Sequence, residues 1–289
     1  MNGRVGVLGL GTMGGRAAEA LVGAGADVVG FDPAQAARDR AAAAGVEVAD
    51  DGGAVAATSD LVLLSVPRPE HVRSLVEGPL AQARPGAVVV DLSTIDPGTA
   101  QDAARVLAAR DVTYLDAPVL GRPAGCGSWT LVVGGDEAAV AAVTPRLEGV
   151  IARRVVRVGD VGAGSTVKIL NNLMFGAINA VTAEALHLCR QSGIDMDVFV
   201  DAVVDSGAAT VSNLFRDLAP RIAAGDDDPV FALELLAKDN LLAQALARQL
   251  GSTAPIADAV VGVNAHAVGL GRGARDSAAV IAAYEDGAG

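Results

Sequence analysis

Short apolar runs of four to six residues, each followed by an alanine-rich stretch, fill the first half of the chain. Residues 4–9 read as a buried strand, 12–24 as a helix and 27–31 as a second strand, which together make a βαβ unit. Further strand-like runs stand at 61–65, 87–91, 112–115, 130–133 and 155–158, with alanine-rich segments between most of them. That alternation predicts a mainly parallel sheet covered by helices. From residue 164 onward the strand-like runs stop, and helical patterns occupy 165–191, 212–224, 231–250 and 256–269. The first of these, if helical throughout, is about 40 Å long at ~1.5 Å per residue. Three glycines within residues 159–164 mark the change of character.

Composition narrows the class. A chain of 289 residues suits two domains, and 51% hydrophobic against 19% charged residues places it among globular proteins. A net charge of −12 repels nucleic acid, so any anion must be bound locally. The most apolar long segment, 167–189, carries Lys168, Asn171, Asn172, Asn179, Glu184 and His187 and does not suit a membrane span. The opening Met1-Asn2-Gly3-Arg4 runs straight into a glycine-rich motif with no apolar export signal, and a reducing cytoplasmic setting is expected. Cys126 and Cys189 form no CxxC pair and His71, His187 and His266 share no ligand spacing, so no metal is expected. Of 22 basic residues, 20 are Arg and only Lys168 and Lys238 are Lys. Where arginine has displaced lysine almost everywhere, the survivors mark positions that need a compact ammonium able to lose its proton.

Gly9-Leu10-Gly11-Thr12-Met13-Gly14 is a GxGxxG directly after a predicted strand and directly before a predicted helix. In that context Gly9 permits the tight turn, Gly11 lets backbone approach a pyrophosphate and Gly14 lets helix pack on strand, with the phosphates facing the helix N-terminus at Thr12 and Met13. Asp32 ends the next strand, where a carboxylate accepts ribose hydroxyls and repels a 2′-phosphate. NAD is therefore expected over NADP, although Arg38 and Arg40 keep NADP open. The expected fold is α/β: a Rossmann-like doubly wound sheet over residues 1–162, and an all-α substrate and dimerisation domain over 163–289, joined by a long interdomain helix.

Lys168 and Asn172 are spaced i, i+4 and share a helix face. On an otherwise apolar helix, such a pair lies in a polar cleft or needs explicit partners. With Gly162-Ala163-Gly164 ahead of it, this segment resembles the catalytic segment of the β-hydroxyacid dehydrogenase family, which includes 3-hydroxyisobutyrate dehydrogenase and tartronate semialdehyde reductase. The glycine motif, Asp91-Leu92-Ser93-Thr94-Ile95-Asp96-Pro97, Asp116-Ala117-Pro118-Val119 and Lys238-Asp239-Asn240-Leu241-Leu242-Ala243 resemble further signatures of that family in order, covering nearly the whole chain. The resemblance implies Lys168 as acid–base residue and Asn172 as substrate-orienting amide. It also implies Val66, Pro67 and Thr94 on the nicotinamide side, and Lys238 reaching cofactor and substrate.

After Asp116-Ala117-Pro118-Val119 the family pattern continues Ser-Gly-Gly, whereas this chain reads Leu120-Gly121-Arg122-Pro123. A hydroxyl partner for the substrate is lost there, and the Arg122 guanidinium is suited to grip a carboxylate bidentately in its place. The expected activity is reversible hydride transfer between NAD and a small 3-hydroxy acid, by a homodimer or homotetramer that binds a small carboxylate substrate. Imine reduction on the same scaffold, or NAD sensing without catalysis, are the alternatives.

Overall fold

Alternation along each strand decides which side of the sheet a residue serves. In a computed structural model of the chain, which describes residues 3–207 and 212–285, β1 (Val5–Leu8) turns Val5 and Val7 to one face and Leu8 to the other. The next strands are β2 (Val28–Phe31), β3 (Glu47–Val48), β4 (Leu61–Leu64), β5 (Val88–Asp91) and β6 (Thr113–Asp116). Leu61, Leu63 and Val90 join Val5 and Val7, while Val62, Leu64 and Val89 join Leu8. With both faces buried, the strands read as nearly continuous apolar runs, as in a parallel sheet covered on both sides.

The first face is covered by α1 (Thr12–Gly23), α2 (Gln35–Ala43) and α6 (Glu137–Leu147), through Ala17, Leu21, Ala37, Val140 and Leu147. The other is covered by α3 (Gly52–Thr58), α4 (Pro69–Glu77) and α5 (Pro97–Ala108), through Val55, Val72, Val76, Ala100 and Leu107. The parallel strands lie in the order β3-β2-β1-β4-β5-β6. The chain therefore reverses direction across the sheet between β1 and β4, and the crevice outside the carboxyl ends of those two strands is where such sheets bind ligands. β7 (Val119–Leu120) and β8 (Trp129–Gly134) continue the sheet antiparallel to each other, and β9 (Ala152–Gly159) runs parallel to β8.

Two units divide between Lys168 and Ile169. The division falls inside α7 (Ala163–Gln191), whose 29 residues give a length of ~43 Å. The second unit continues with α8 (Met196–Ser206), α9 (Asn213–Ala224), α10 (Leu233–Gln249), α11 (Pro255–Ala267) and the short α12 (Ala282–Glu285), and no strand occurs among its described residues. Its core joins Ala183 and Leu186 of α7 to Val200, Phe215, Leu218, Ile222 and Leu233. Fully buried Asn179 ties α7 to the following chain by donating to the Ser277 carbonyl at 2.7 Å. Among the described residues no helix is long and apolar enough to cross a membrane, and no group of three or more His, Cys, Asp or Glu is placed to hold a metal.

The strands expected from apolar runs are all present, and the helix expected at 165–191 begins at Ala163. Not anticipated are β3, β7, α8 and the one-turn α12. The first two have only two residues each, too few for any period to show. α8 is rich in Val and Asp, poor helix formers, and is started instead by the Asp195 carboxylate, which accepts from the N–H groups of Asp197 and Val198.

Candidate cofactor and catalytic site

The glycine loop leaves β1 at the point of reversal. Gly9 has φ of +97°, and a Cβ there would stand 2.1 Å from the Ser65 carbonyl oxygen beyond β4; one on Gly14 would stand 1.9 Å from the Gly9 carbonyl oxygen. Both glycines are required by the protein's own packing. Gly11 is not, because a Cβ there would meet no protein atom within 4 Å. It lies exposed as the N-cap of α1, where the first N–H groups, those of Thr12, Met13 and Gly14, lack partners within the helix. Donors that the helix itself leaves open, beside a side-chain-free approach, suit a pyrophosphate.

Asp32, at the end of β2, accepts from the Leu10 N–H and the Ala34 N–H, both at 2.8 Å. The carboxylate thus also fastens the glycine loop, and each oxygen keeps a second acceptor position for a hydroxyl. The Arg38 guanidinium lies over the Phe31 ring, 5.7 Å from its centroid, and donates to the Pro33 carbonyl at 3.0 Å.

Val66, Pro67 and Thr94 follow β4 and β5, and a buried carboxylate joins their loops. Asp91 accepts from the Ser93 N–H at 2.8 Å and the Tyr114 hydroxyl at 2.6 Å, and the Ser93 Oγ accepts from the Val66 N–H at 2.9 Å. Burial raises the Asp91 carboxyl above its ordinary range, opposed by these hydrogen bonds. Burial and the adjacent Asp91 charge raise the Tyr114 phenol well above 10.0, so it stays a donor.

A second buried carboxylate, Asp116 at the end of β6, starts α7. It accepts from the Gly162 N–H at 2.8 Å and the Ser165 N–H at 2.7 Å, satisfying donors that the helix leaves open. Burial pushes its carboxyl up to about 6, with those N–H groups pulling the other way. Gly164 allows the approach, since a Cβ there would stand 2.3 Å from the Val132 carbonyl oxygen and 2.6 Å from that of Asp116. One turn into the helix, half-buried Lys168 donates from Nζ to the Val119 carbonyl at 2.8 Å. The loop beyond Val119 carries Gly121 and exposed Arg122. Fully buried Trp129 backs that loop, donating from Nε1 to the Arg122 carbonyl at 2.7 Å, and its ring would lie 2.6 Å from a Cβ on Gly121.

In the helical unit Asn172 is buried and donates from Nδ2 to the Asp239 carboxylate, which pairs through its other oxygen with Lys238 Nζ at 2.8 Å. The Asn172 Oδ1 accepts from Asn171 at 3.1 Å. The predicted residues therefore group in three sets. Gly9, Gly11, Thr12, Met13, Gly14, Asp32, Val66, Pro67 and Thr94 stand at the carboxyl ends of β1, β2, β4 and β5. Lys168 is linked to the head of the Gly121–Arg122 loop. Asn172 and Lys238 meet through Asp239. Sequence reasoning gave no role to Asp91, Asp116, Asp239, Asn240 or Asn264; Asp91, Asp116, Asp239 and Asn240 lie inside the quoted motifs, but only tertiary structure shows what they hold.

Comparisons with known proteins give the family to which the two units belong. The model of the NAD binding domain of 6-phosphogluconate dehydrogenase matches residues 4–159, and that described as NAD-binding of NADP-dependent 3-hydroxyisobutyrate dehydrogenase matches residues 162–284. The chain is 32% identical to the 2-(hydroxymethyl)glutarate dehydrogenase of Eubacterium barkeri, over 98% of its own length and 95% of that protein. It is 35% identical to the L-threonate dehydrogenase of Escherichia coli K12, over 96% and 93%. The crystal structure of a 3-hydroxyisobutyrate dehydrogenase from Salmonella typhimurium superposes with a TM-score of 0.89 at 33% identity, covering 97% of this chain and 99% of that one. The chain belongs to the β-hydroxyacid dehydrogenase family of NAD(P)-dependent oxidoreductases.

Proposed function

We propose that the protein carries out reversible hydride transfer between NAD and C3 of a small 3-hydroxy acid, giving a semialdehyde or ketone, with Lys168 as general acid and base. The observation that carries this reading is the placement of Lys168. Its amine sits at 2.8 Å from the Val119 carbonyl, at the head of the loop that bears Gly121 and Arg122, on a helix whose start is held by Asp116. When bound, the nicotinamide takes up or gives back the hydride; the chain's own groups handle the proton and the carboxylate. In oxidation the neutral Lys168 amine takes the hydroxyl proton, and in reduction the ammonium returns it. Asn172 orients the substrate, Arg122 and the Gly121 backbone take its carboxylate, and Lys238 adds a second cation. Val66, Pro67 and Thr94 line the nicotinamide side.

The Asp32 carboxylate supports NAD over NADP, because a 2′-phosphate beside it meets like charge. A homodimer or homotetramer is supported by an exposed apolar stripe on α7, formed by Leu170, Met174, Val181 and Leu188 at spacings that stay on one side of the helix.

Nicotinamide absorbance, followed with NAD and NADP over 3-hydroxyisobutyrate, L-threonate, 2-(hydroxymethyl)glutarate, simple alcohols and cyclic imines, tests the reading. NAD-dependent oxidation of at least one acid, with the alcohols unused, is expected. NADP-dependent reduction of the imines with every acid untouched would replace it.

A further inference from the structure

Three asparagines far apart in the chain, Asn172, Asn240 and Asn264, form a buried line in the helical unit, and the proposed chemistry uses only the first. Asn240 and Asn264 are fully buried. An amide's oxygen and nitrogen ends are told apart by their partners, and here the backbone decides. The Asn172 carbonyl can only accept, so Asn240 presents Nδ2 to it at 2.8 Å. The Asn240 Oδ1 then faces Asn264, whose Nδ2 donates at 2.8 Å. One buried amide thereby fixes the orientation of the next.

Two unfavourable features are kept in order to hold this line. The Asn264 Oδ1 is buried with no hydrogen-bond partner among the described residues, which is costly where an apolar side chain would fill the same space. Gly176 sits inside α7, where glycine is a poor helix former, and a Cβ on it would stand 2.2 Å from the Asn240 Oδ1. The missing side chain is what lets the Asn240 amide lie against the helix at the Asn172 turn. Asp239, next along α10, holds the Asn172 side chain itself. Backbone and side chain of one residue are thus gripped by two consecutive residues of another helix.

The geometry points to Asn240 and Asn264 as positioning residues: Asn264 sets the direction of the Asn240 amide, and Asn240 fixes the turn of α7 that presents Asn172, so that Asn172 meets the substrate at one angle. The inference rests on the reading of Asn172 as the substrate-orienting group. It adds to that reading a relay reaching from α11 to the site through α10.

The test begins without substrate. The chain has seven asparagines, and full-length protein labelled with 15N-asparagine gives a short set of side-chain amide signals. Asn264→Leu is expected to shift the Asn240 and Asn172 signals and leave that of Asn179, which is tied separately to Ser277, in place. With NAD and the same three acids as probes, Asn264→Leu is expected to lower kcat/KM about tenfold with NAD affinity unchanged, and to cost nothing further when added to Asn172→Ala. Unmoved Asn172 signals, or losses that multiply in the double variant, would overturn the relay and leave the role of Asn172 standing. Full turnover in Asn172→Ala would overturn that role itself. Should Asn264→Leu fail to fold, Asn264→Asp keeps the shape while turning the donor into an acceptor, and is read in the same way.

Discussion

Within the glycine loop, the same substitution has opposite consequences at two positions. Gly14→Ala would drive a methyl group into the Gly9 carbonyl oxygen, and we expect it to cost roughly 2–4 kcal/mol in thermal or denaturant unfolding. Gly11→Ala meets no protein atom, so its unfolding should stay within about 1 kcal/mol of wild type while NAD affinity, read by fluorescence or calorimetry, falls about tenfold. Equal effects on stability at the two sites would contradict the assignment of Gly11 to the ligand. Asp116 makes a prediction in pH. Its carboxyl is raised from 3.8 to about 6 in the fold, so between roughly pH 4 and 6 the native state holds a proton that the unfolded chain has released. Its contribution to stability therefore falls as pH rises through that window and is level above it. Melting curves should show wild type exceeding Asp116→Asn by a wider margin at pH 4.5 than at pH 7; a constant margin would contradict the raised value. Lys168 and Lys238 were legible singly because they are the only lysines. Asp116 was not, because a carboxylate that caps a distant helix leaves no local pattern.

At the level of elements, the path from β6 to α7 carries much of the site. Gly134, Gly164 and Asp116 crowd together where β8 and the start of α7 meet the end of β6, and a Cβ on Gly164 would strike two backbone carbonyls. Neither carbonyl can move without disturbing the sheet. We expect Gly164→Ala to destabilise the protein by about 3 kcal/mol or more and to abolish activity beyond what the stability loss explains, because the first turn of α7 positions Lys168. β1, β2, β4, β5 and β6 were legible as apolar runs because their two faces are both buried. β7 escaped notice because its two residues gain their geometry from β8 rather than from their own sequence. The line Asn172–Asn240–Asn264 escaped for a similar reason: its three members sit on three different helices, and periodicity cannot relate α7, α10 and α11.

For the molecule as a whole, the change from strand-bearing to strand-free sequence announced two units, and the glycine motif announced what the first binds. The departure of Leu120-Gly121-Arg122 from the family pattern bears on which acid is used. Assembly belongs to this scale too. Leu170, Met174, Val181 and Leu188 are each about half exposed or more on α7, in a chain whose net charge of −12 would otherwise keep copies apart. On the proposal of a homodimer or homotetramer, replacing Met174 and Val181 together by Glu should give a monomer in sedimentation or light scattering, and an unchanged oligomeric mass would remove that stripe from the proposed interface.

The central claim is that Lys168 moves the proton. The measurement that tests it most directly is NAD reduction by wild type and Lys168→Ala on whichever of the probe acids wild type oxidises, across a range of pH. The account predicts that wild-type oxidation rises with pH as the neutral amine becomes available, and that the variant loses about 10²–10⁴-fold in kcat with NAD affinity retained. Full turnover in Lys168→Ala, with the same pH profile, would contradict it.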